Sequence, residues 1–295
     1  MRRKLIKQGA GGLTVFLPIK WIRDHNLKKG DPVIIDEVEG RLNISSEESH
    51  NIKKKEVSIG ELENISYIRS VISSLYKSGY NDITIYFKKM PDIHEINKII
   101  NTFTGLEVVE QTQKTIRIKS FLFTNQSEVE SLIVKIFQTI KYLILDLQEN
   151  GKKIDLNNHK SIIKNIRKIR DHCLRTIHKI KYFGDKSYDY YDFVTQLEKL
   201  AVNFFMMNQL VIDKKITDLE LYLDANNLFE SLYRSYLKKD FISSHKNWEK
   251  IRNKLKRIDL DKLIKKNKVD FVTQYYTILE RLLHLASRLS SLSKD

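Results

Sequence analysis

From position 127 to the end of the chain, apolar residues recur at every third or fourth position. The first stripe consists of Val129, Ile133, Ile136, Ile140, Leu143 and Leu147. This spacing puts the apolar side chains on one face of a helix. Five further stripes follow, at 162–180, 193–211, 219–236, 241–255 and 272–286. A break near 213–216 leaves three stripes on either side, so the pattern predicts two antiparallel three-helix bundles over 127–295.

Positions 52–123 have a different pattern, in which short alternating runs are separated by helical ones. The predicted strands are 56–59, 82–87, 106–109 and 115–120, and the predicted helices are 65–78 and 93–103. The resulting order, βαβαββ, predicts a small α/β domain of ferredoxin-like type. None of its residues forms a catalytic pattern, which favours a spacer or a dimerisation module.

The first 46 positions predict strand, strand, short helix, strand, strand. The first hairpin joins 3–8 to 13–17 through a glycine-rich turn, and the second is predicted to turn at Glu39-Gly40. Pro18 suits the first turn of the helix between them, 18–25. A domain of ~40 to 50 residues rarely buries a sufficient core without a metal, a disulfide or a partner. This stretch has no cysteine, so we expect a second chain to complete it.

Composition indicates a folded, helix-rich protein, with 41% hydrophobic residues, 10 glycines and 3 prolines in 295 residues. No apolar run approaches ~18 residues, and no signal peptide pattern opens the chain. The lone Cys173 excludes a disulfide framework and is typical of a reducing compartment. These features predict a soluble cytoplasmic protein without a transmembrane segment.

The charge balance favours a polyanionic partner. There are 52 Lys and Arg against 37 Asp and Glu, a net charge of +15. Such a surplus suits nucleic acid, an anionic membrane or a phosphate-bearing ligand, although it also serves solubility. Within the first 30 residues, eight basic residues face the single acid Asp24. That clustering favours DNA contact over a merely solvated face, since phosphate neutralisation needs several cations on one element.

The first 46 positions resemble the AbrB/SpoVT-type swapped-hairpin DNA-binding domain. The resemblance rests on Gly11-Gly12, on the run from Thr14 to Pro18, and on the segment from Leu27 to Asp31. It implies two interleaved chains that form one sheet and place basic residues on DNA. Where many members have an arginine before the second strand, this chain has Leu13-Thr14. The DNA-binding residues that the resemblance implies are Arg2, Arg3, Lys4, Lys7, Thr14, Lys20 and Arg23.

The helical part resembles the PhoU family of phosphate-uptake regulators, which are built as tandem three-helix bundles. The closest local match is the segment from Lys168 to Ile177. A swapped-hairpin domain, an α/β spacer and a PhoU-like bundle in one chain look like the archaeal PhoU-related regulators. This resemblance implies DNA, a second copy or a higher homo-oligomer, and a phosphate transporter or its regulators as partners.

Many PhoU proteins gather metal clusters on acidic residues spaced one turn apart, and this chain departs from that pattern. The helix over 159–181 contains one acidic residue, Asp171, and eight basic ones: Lys160, Lys164, Arg167, Lys168, Arg170, Arg175, Lys179 and Lys181. The helix over 245–257 is similarly basic. Such surfaces repel cations, so we expect no metal and no cofactor. Glu220 with Asp224, and Glu280 with His284, have a usable spacing that solvated polar faces also explain. The basic faces of these helices are either simply exposed to solvent or contact flanking DNA, anionic lipid headgroups or an acidic partner.

No Ser/His/acid set, P-loop, G-x-G-x-x-G or H-E-x-x-H pattern occurs, and we therefore expect no enzymatic activity. The leading hypothesis is a dimeric DNA-binding regulator of phosphate uptake whose helical part receives the signal. A second hypothesis is an accessory protein that controls a phosphate transporter at the membrane surface and uses the small domain to dimerise. A third is an antitoxin, which the long structured C-terminal part disfavours.

Overall fold

The fold is described from a computed structural model of the chain. The described residues are 3–9, 11–38, 41–46, 53–60, 64–122, 126–180 and 184–292, with the side chains at 36–38, 41, 43, 45–46, 126–127, 180, 185 and 241 left out. The chain forms two compact units, Met1–Lys53 and Lys54–Asp295. Positions 47–52, where the sequence predicts the first boundary, lie outside the described residues.

The described residues of the first unit form two hairpins and one short helix. Strands β1 (Ile6–Gln8) and β2 (Gly12–Thr14) pair antiparallel, as do β3 (Val33–Val38) and β4 (Arg41–Ser46). Helix α1 (Ile19–Asp24) follows Pro18, whose carbonyl accepts the first helical hydrogen bond from the amide of Ile22. The described strands of this unit form separate two-stranded sheets, and the predicted turn at Glu39-Gly40 lies outside the described residues.

The second unit begins with a four-stranded sheet covered by two helices. Its elements are β5 (Lys54–Ile59), α2 (Ile65–Lys77), β6 (Asp82–Phe87), α3 (Ile93–Ile100), β7 (Leu106–Gln111) and β8 (Thr115–Ser120). Ile83, Ile85 and Phe87 alternate along β6 and are buried against the helices, as their period of two predicts. At the end of α2, Gly79 has φ +80° and its amide donates to the carbonyl of Tyr76, which ends the helix.

The predicted order βαβαββ is observed, but the ferredoxin-like designation was wrong. The sheet order is β5-β6-β8-β7, with β5 and β6 parallel neighbours and the remaining pairs antiparallel. A ferredoxin-like domain has the chain order βαββαβ, and the two strands of each βαβ unit are not neighbours in its sheet. Here α2 connects two adjacent strands, so the parallel pair stays together.

Seven α-helices complete the part of the second unit that the structure describes: α4 (Gln126–Asn150), α5 (Leu156–Ile180), α6 (Ser187–Asp213), α7 (Glu220–Leu237), α8 (Phe241–Arg257), α9 (Leu260–Lys266) and α10 (Val269–Leu292). Helices α4, α5 and α6 pack together, α7 and α8 pack with α10, and α6 packs along α10. One core runs through both sets of helices, with Phe137, Phe204, Phe229 and Leu279 fully buried. Helix α9 was not predicted, and it is largely exposed.

The α/β segment and the helical segment belong to the same compact unit, because α2 packs directly on α5. No described helix is both long and apolar enough to cross a membrane.

Candidate nucleic-acid interface

The first hairpin is closed by glycines that the turn requires. Gly9 has φ +64°, a left-handed conformation that costs other residues about 1–2 kcal/mol. Ile6 pairs with Thr14, Lys7 with Leu13 and Gln8 with Gly12. Since successive side chains of a strand point to opposite faces, Lys7 and Leu13 share one face while Ile6 and Thr14 share the other.

The hairpin divides the predicted DNA-binding residues between its two faces. Arg3 and Lys4 precede β1 and are exposed, and Lys7 is exposed on the face that it shares with Leu13. Thr14 lies on the opposite face, where its hydroxyl donates to the carbonyl oxygen of Ile6 at 3.2 Å. The structure therefore does not bring Thr14 together with Lys7. Arg2 lies outside the described residues.

Helix α1 carries the remaining two predicted contacts. Lys20 and Arg23 are three residues apart and exposed, so they lie on one side of the helix. Trp21 is half-buried and packs against His25 with 4.6 Å between ring centroids. The His25 Nδ1 also lies 2.8 Å from the Trp21 carbonyl oxygen, which closes the helix end. The contact between Trp21 and His25 stabilises the end of α1, while the side chains of Lys20 and Arg23 are exposed to solvent.

The described cations of this unit are available to an anion. The side chains of Arg3, Lys4, Lys7, Lys20 and Arg23 are exposed, and none of them forms an ion pair within the described residues. Unpaired exposed cations can exchange their counterions for DNA phosphates without breaking an existing contact. The electrostatics thus suit a polyanion.

The same unit leaves its apolar side chains uncovered. No described residue in 3–46 is buried. The exposed large apolar residues there are Leu5, Ile6, Leu13, Val15, Phe16, Ile19, Ile34, Ile35 and Leu42. Phe16 is 69% exposed and Ile19 66%, although side chains of this type normally enter a core. Such a density of exposed apolar residues marks an interaction surface.

Three of the four residues with metal-compatible spacing, Glu220, Asp224 and His284, are engaged with protein partners. Asp224 pairs with the Lys254 ammonium and accepts a hydrogen bond from the Tyr275 hydroxyl at 2.6 Å. Glu220 pairs with Lys266 at 3.2 Å. The Nε2 of His284 lies 2.6 Å from a carboxylate oxygen of Asp192, on another helix. Among the described residues, no three acids, histidines or cysteines converge in a way that could hold a metal.

Several cations of α5 act inside the second unit. Lys168 Nζ donates to the carbonyl of Asn101 at the end of α3, at 3.2 Å. Arg175 Nη1 donates to the carbonyls of Tyr76 and Tyr80 around the end of α2, at 2.7 and 2.8 Å. Helix C-termini attract cations, because their last carbonyls are unpaired and carry the negative end of the dipole. These side chains therefore join the α/β layer to the bundle.

Two further cations of α5 are held within the bundle. Arg167 and Arg170 bind the nearly buried Glu198 of α6, each at 3.0 Å. Lys160 and Lys164 remain exposed, and Lys181 lies outside the described residues. Part of the basic run over 159–181 thus holds the unit together.

Comparison of the chain with protein-family models, curated proteins and solved structures finds no match. The case for a function accordingly rests on the residues themselves.

Helix α2 has a polar face that was not predicted from the sequence. Ser70, Ser73, Ser74, Lys77 and Ser78 recur at three- and four-residue intervals, so they share one side of the helix. This side lies opposite the buried apolar stripe and borders a cleft against α5 and α6. The three- and four-residue spacing of these polar residues is present in the sequence, as is the spacing of the apolar stripes, and would have predicted the polar face.

Proposed function

We propose that the protein is a DNA-binding transcriptional regulator of phosphate uptake, dimeric through its first 46 residues. The observation that carries the proposal is the first unit itself. It combines exposed, unpaired cations with exposed apolar side chains and has no buried residue among those described. The cations supply affinity for DNA phosphates, and the apolar residues supply the contact between two copies.

A second copy is the partner that best suits this surface. An isolated two-stranded hairpin is at best marginally stable in water. Burying a side chain such as Leu13, Phe16 or Ile19 contributes about 1.5–3 kcal/mol, so a contact between two copies would stabilise hairpins that are marginal alone. A symmetric dimer also duplicates the basic residues, which suits the two half-sites of a DNA operator.

The regulatory signal is the part of the proposal that rests on the PhoU resemblance. On this basis the helical part responds to phosphate supply, and α2 and the sheet transmit its state. The contact of Arg175 with the end of α2 supports such a route, because it ties a bundle helix to the α/β layer.

The DNA contacts are tested by the salt dependence of binding. The triple variant Arg3→Ala, Lys4→Ala, Lys7→Ala removes three exposed cations per chain. The slope of log K against log salt should become shallower by about one for each phosphate that these cations no longer neutralise. Fluorescence anisotropy with duplex DNA at several salt concentrations measures this slope.

A matched control removes the same charge elsewhere. Lys152, Lys153 and Lys160 are exposed on the second unit, and their triple alanine variant should keep the parental slope. Equal slopes for both triple variants would show that net charge, rather than the first hairpin, holds the DNA. The assignment of contacts would then fail.

A second candidate function, the membrane-surface accessory, is favoured by α8 and α9. Seven exposed basic residues of these two helices have no ion pair among the described residues: Lys246, Lys250, Arg252, Lys256, Arg257, Lys262 and Lys265. Leu260 and Ile264, one turn apart on α9, are 41% and 38% exposed beside them. Cations flanking exposed apolar residues suit an anionic lipid surface.

Vesicle sedimentation separates the two candidates. Under the accessory function, the protein sediments with phosphatidylserine-containing vesicles but not with pure phosphatidylcholine ones, and Lys262→Glu with Lys265→Glu releases it. Each basic residue near such a surface is worth about 1 kcal/mol. Under the regulator function, this variant leaves DNA binding unchanged, whereas the hairpin variant weakens DNA binding and makes its salt slope shallower.

A further inference from the structure

Helix α2 has two different sides. Ile68, Ile72 and Tyr76 are fully buried in the core of the α/β layer. The other side presents four serines, Ser70, Ser73, Ser74 and Ser78, together with Lys77. A helix at a contact between two layers normally presents apolar residues to both of them. Helix α2 instead presents hydroxyls and an ammonium next to the bundle.

This polar side lines a cleft of about 260 Å³. The bundle contributes His178 from α5 and Tyr191 from α6, so the cleft is bounded by both layers. Among the described residues, its lining contains no carboxylate. The hydroxyls of the four serines have no hydrogen-bond partner among the described residues, which leaves them free to donate to a ligand.

The charges around the cleft favour an anion. Lys77 supplies an ammonium within the lining. Asp171 interacts electrostatically with Lys77, but its carboxylate is already bound by Arg170 at 2.8 Å. Lys77 is half-buried, so its ammonium is only partly screened by solvent. Hydrogen bonds from hydroxyls and an ammonium to an ionised oxygen are stronger than neutral ones.

We propose that this cleft binds a small phosphate-bearing anion. A phosphoryl group accepts hydrogen bonds from serine hydroxyls and from a lysine ammonium, and the part of the lining that the structure describes has no carboxylate to repel it. A volume of about 260 Å³ lies just below the ~300–1,000 Å³ of typical ligand pockets, which suits a phosphate with few additional atoms. A bound anion would touch α2, α5 and α6 together. This inference rests on the proposed function. If the protein is a DNA-binding regulator, the bound anion is its effector, and the cleft indicates the chemical class of that effector.

Titration calorimetry of the full chain tests the site with three probes: orthophosphate, pyrophosphate and adenosine monophosphate, each in chloride buffer at constant ionic strength. At least one probe should bind saturably, and the one that binds identifies the source of the phosphoryl group. Lys77→Met and the double variant Ser73→Ala, Ser74→Ala should each weaken that binding by tenfold or more, because each removes charge-assisted hydrogen bonds.

Matched controls exclude effects of charge and of helix stability. Ser66→Ala changes an exposed serine of α2 outside the cleft, and Lys135→Met removes an exposed lysine of α4. Both should bind the probe as the parent does. Saturable binding by none of the probes would overturn the proposal, as would equal binding by the parent and the two cleft variants when their thermal unfolding matches that of the parent.

DNA binding is measured separately, so the two proposals fail independently. If the probe binds and the DNA salt slope is insensitive to the hairpin variant, the cleft stands and the regulator fails. If the hairpin variant lowers the slope and no probe binds, the regulator stands without this effector.

Discussion

Arg175 is the residue that most directly connects the two layers of the second unit. It is fully buried, donates to two carbonyls around the end of α2, and lies over the Tyr76 ring with its guanidinium carbon 4.8 Å from the centroid. Burial lowers its pKa, and the nearby Tyr76 opposes that shift. A cation in such a place is retained because its carbonyl partners replace part of the lost hydration.

Arg175→Met should therefore destabilise the protein. The side chain keeps much of its volume, but the partly buried carbonyl of Tyr80 loses its donor, and we expect a loss of about 2 kcal/mol in the free energy of unfolding. Urea denaturation followed by circular dichroism measures it. Arg167→Met is the control, since that side chain is 48% exposed and its ion pair should contribute less than about 1 kcal/mol. Equal losses for both variants would contradict the role of Arg175.

At the scale of elements, the turn between α3 and β7 depends on Gly105. Its φ is +67°, and a Cβ there would lie 2.4 Å from Cγ of Leu122. Gly151 has a similar φ of +53°, but a Cβ there would meet nothing within 4 Å. Comparing substitutions at these two glycines therefore separates the cost of the left-handed backbone from the cost of a steric conflict.

Gly105→Ala should cost more than Gly151→Ala. Both variants incur the left-handed penalty of about 1–2 kcal/mol. Only the first also displaces the half-buried Leu122, which adds about 1–3 kcal/mol of overpacking. Thermal unfolding of the two variants in parallel measures the difference, and equal melting temperatures would show that Leu122 moves aside freely.

Periodicity predicted the elements well but not their neighbours. The stripe from Val129 to Leu147 and the alternation of Ile83, Ile85 and Phe87 placed α4 and β6 correctly, because burial on one face imposes those periods. Helix α9, with seven residues, is too short to show a period. The parallel pairing of β5 with β6 depends on where α2 packs, which no local pattern encodes. In the same way, the charge of Arg175 was visible, but its carbonyl partners, nearly a hundred positions away, were not.

The same limit applies to the candidate interface. The clustering of Arg3, Lys4 and Lys7 with α1 was evident from the chain, and the structure finds these side chains exposed. The separation of Thr14 from Lys7 required the register of the hairpin. The α2 cleft requires knowledge of which helices border it, although its serines are periodic in the sequence.

At the scale of the whole molecule, the two units differ in how they can be stable. The second has continuous buried cores in both of its layers. The first has no buried residue among those described, so its hairpins lack the apolar contacts that normally offset chain entropy. We therefore expect the first unit to be ordered only when two copies meet, and the second to fold independently of that event.

Leu13→Glu tests this expectation in the full chain. Leu13 is 64% exposed, so the charge costs little in a single copy but is buried without a partner if two copies meet there. Sedimentation velocity should show a dimer for the parent and a monomer for the variant, with DNA binding abolished and the main thermal transition of the second unit unchanged. Tyr142→Glu, at a 47% exposed position of α4, should leave the dimer intact. A parent protein that sediments as a monomer at all concentrations would refute the shared first unit, because nothing else among the described residues covers its apolar side chains.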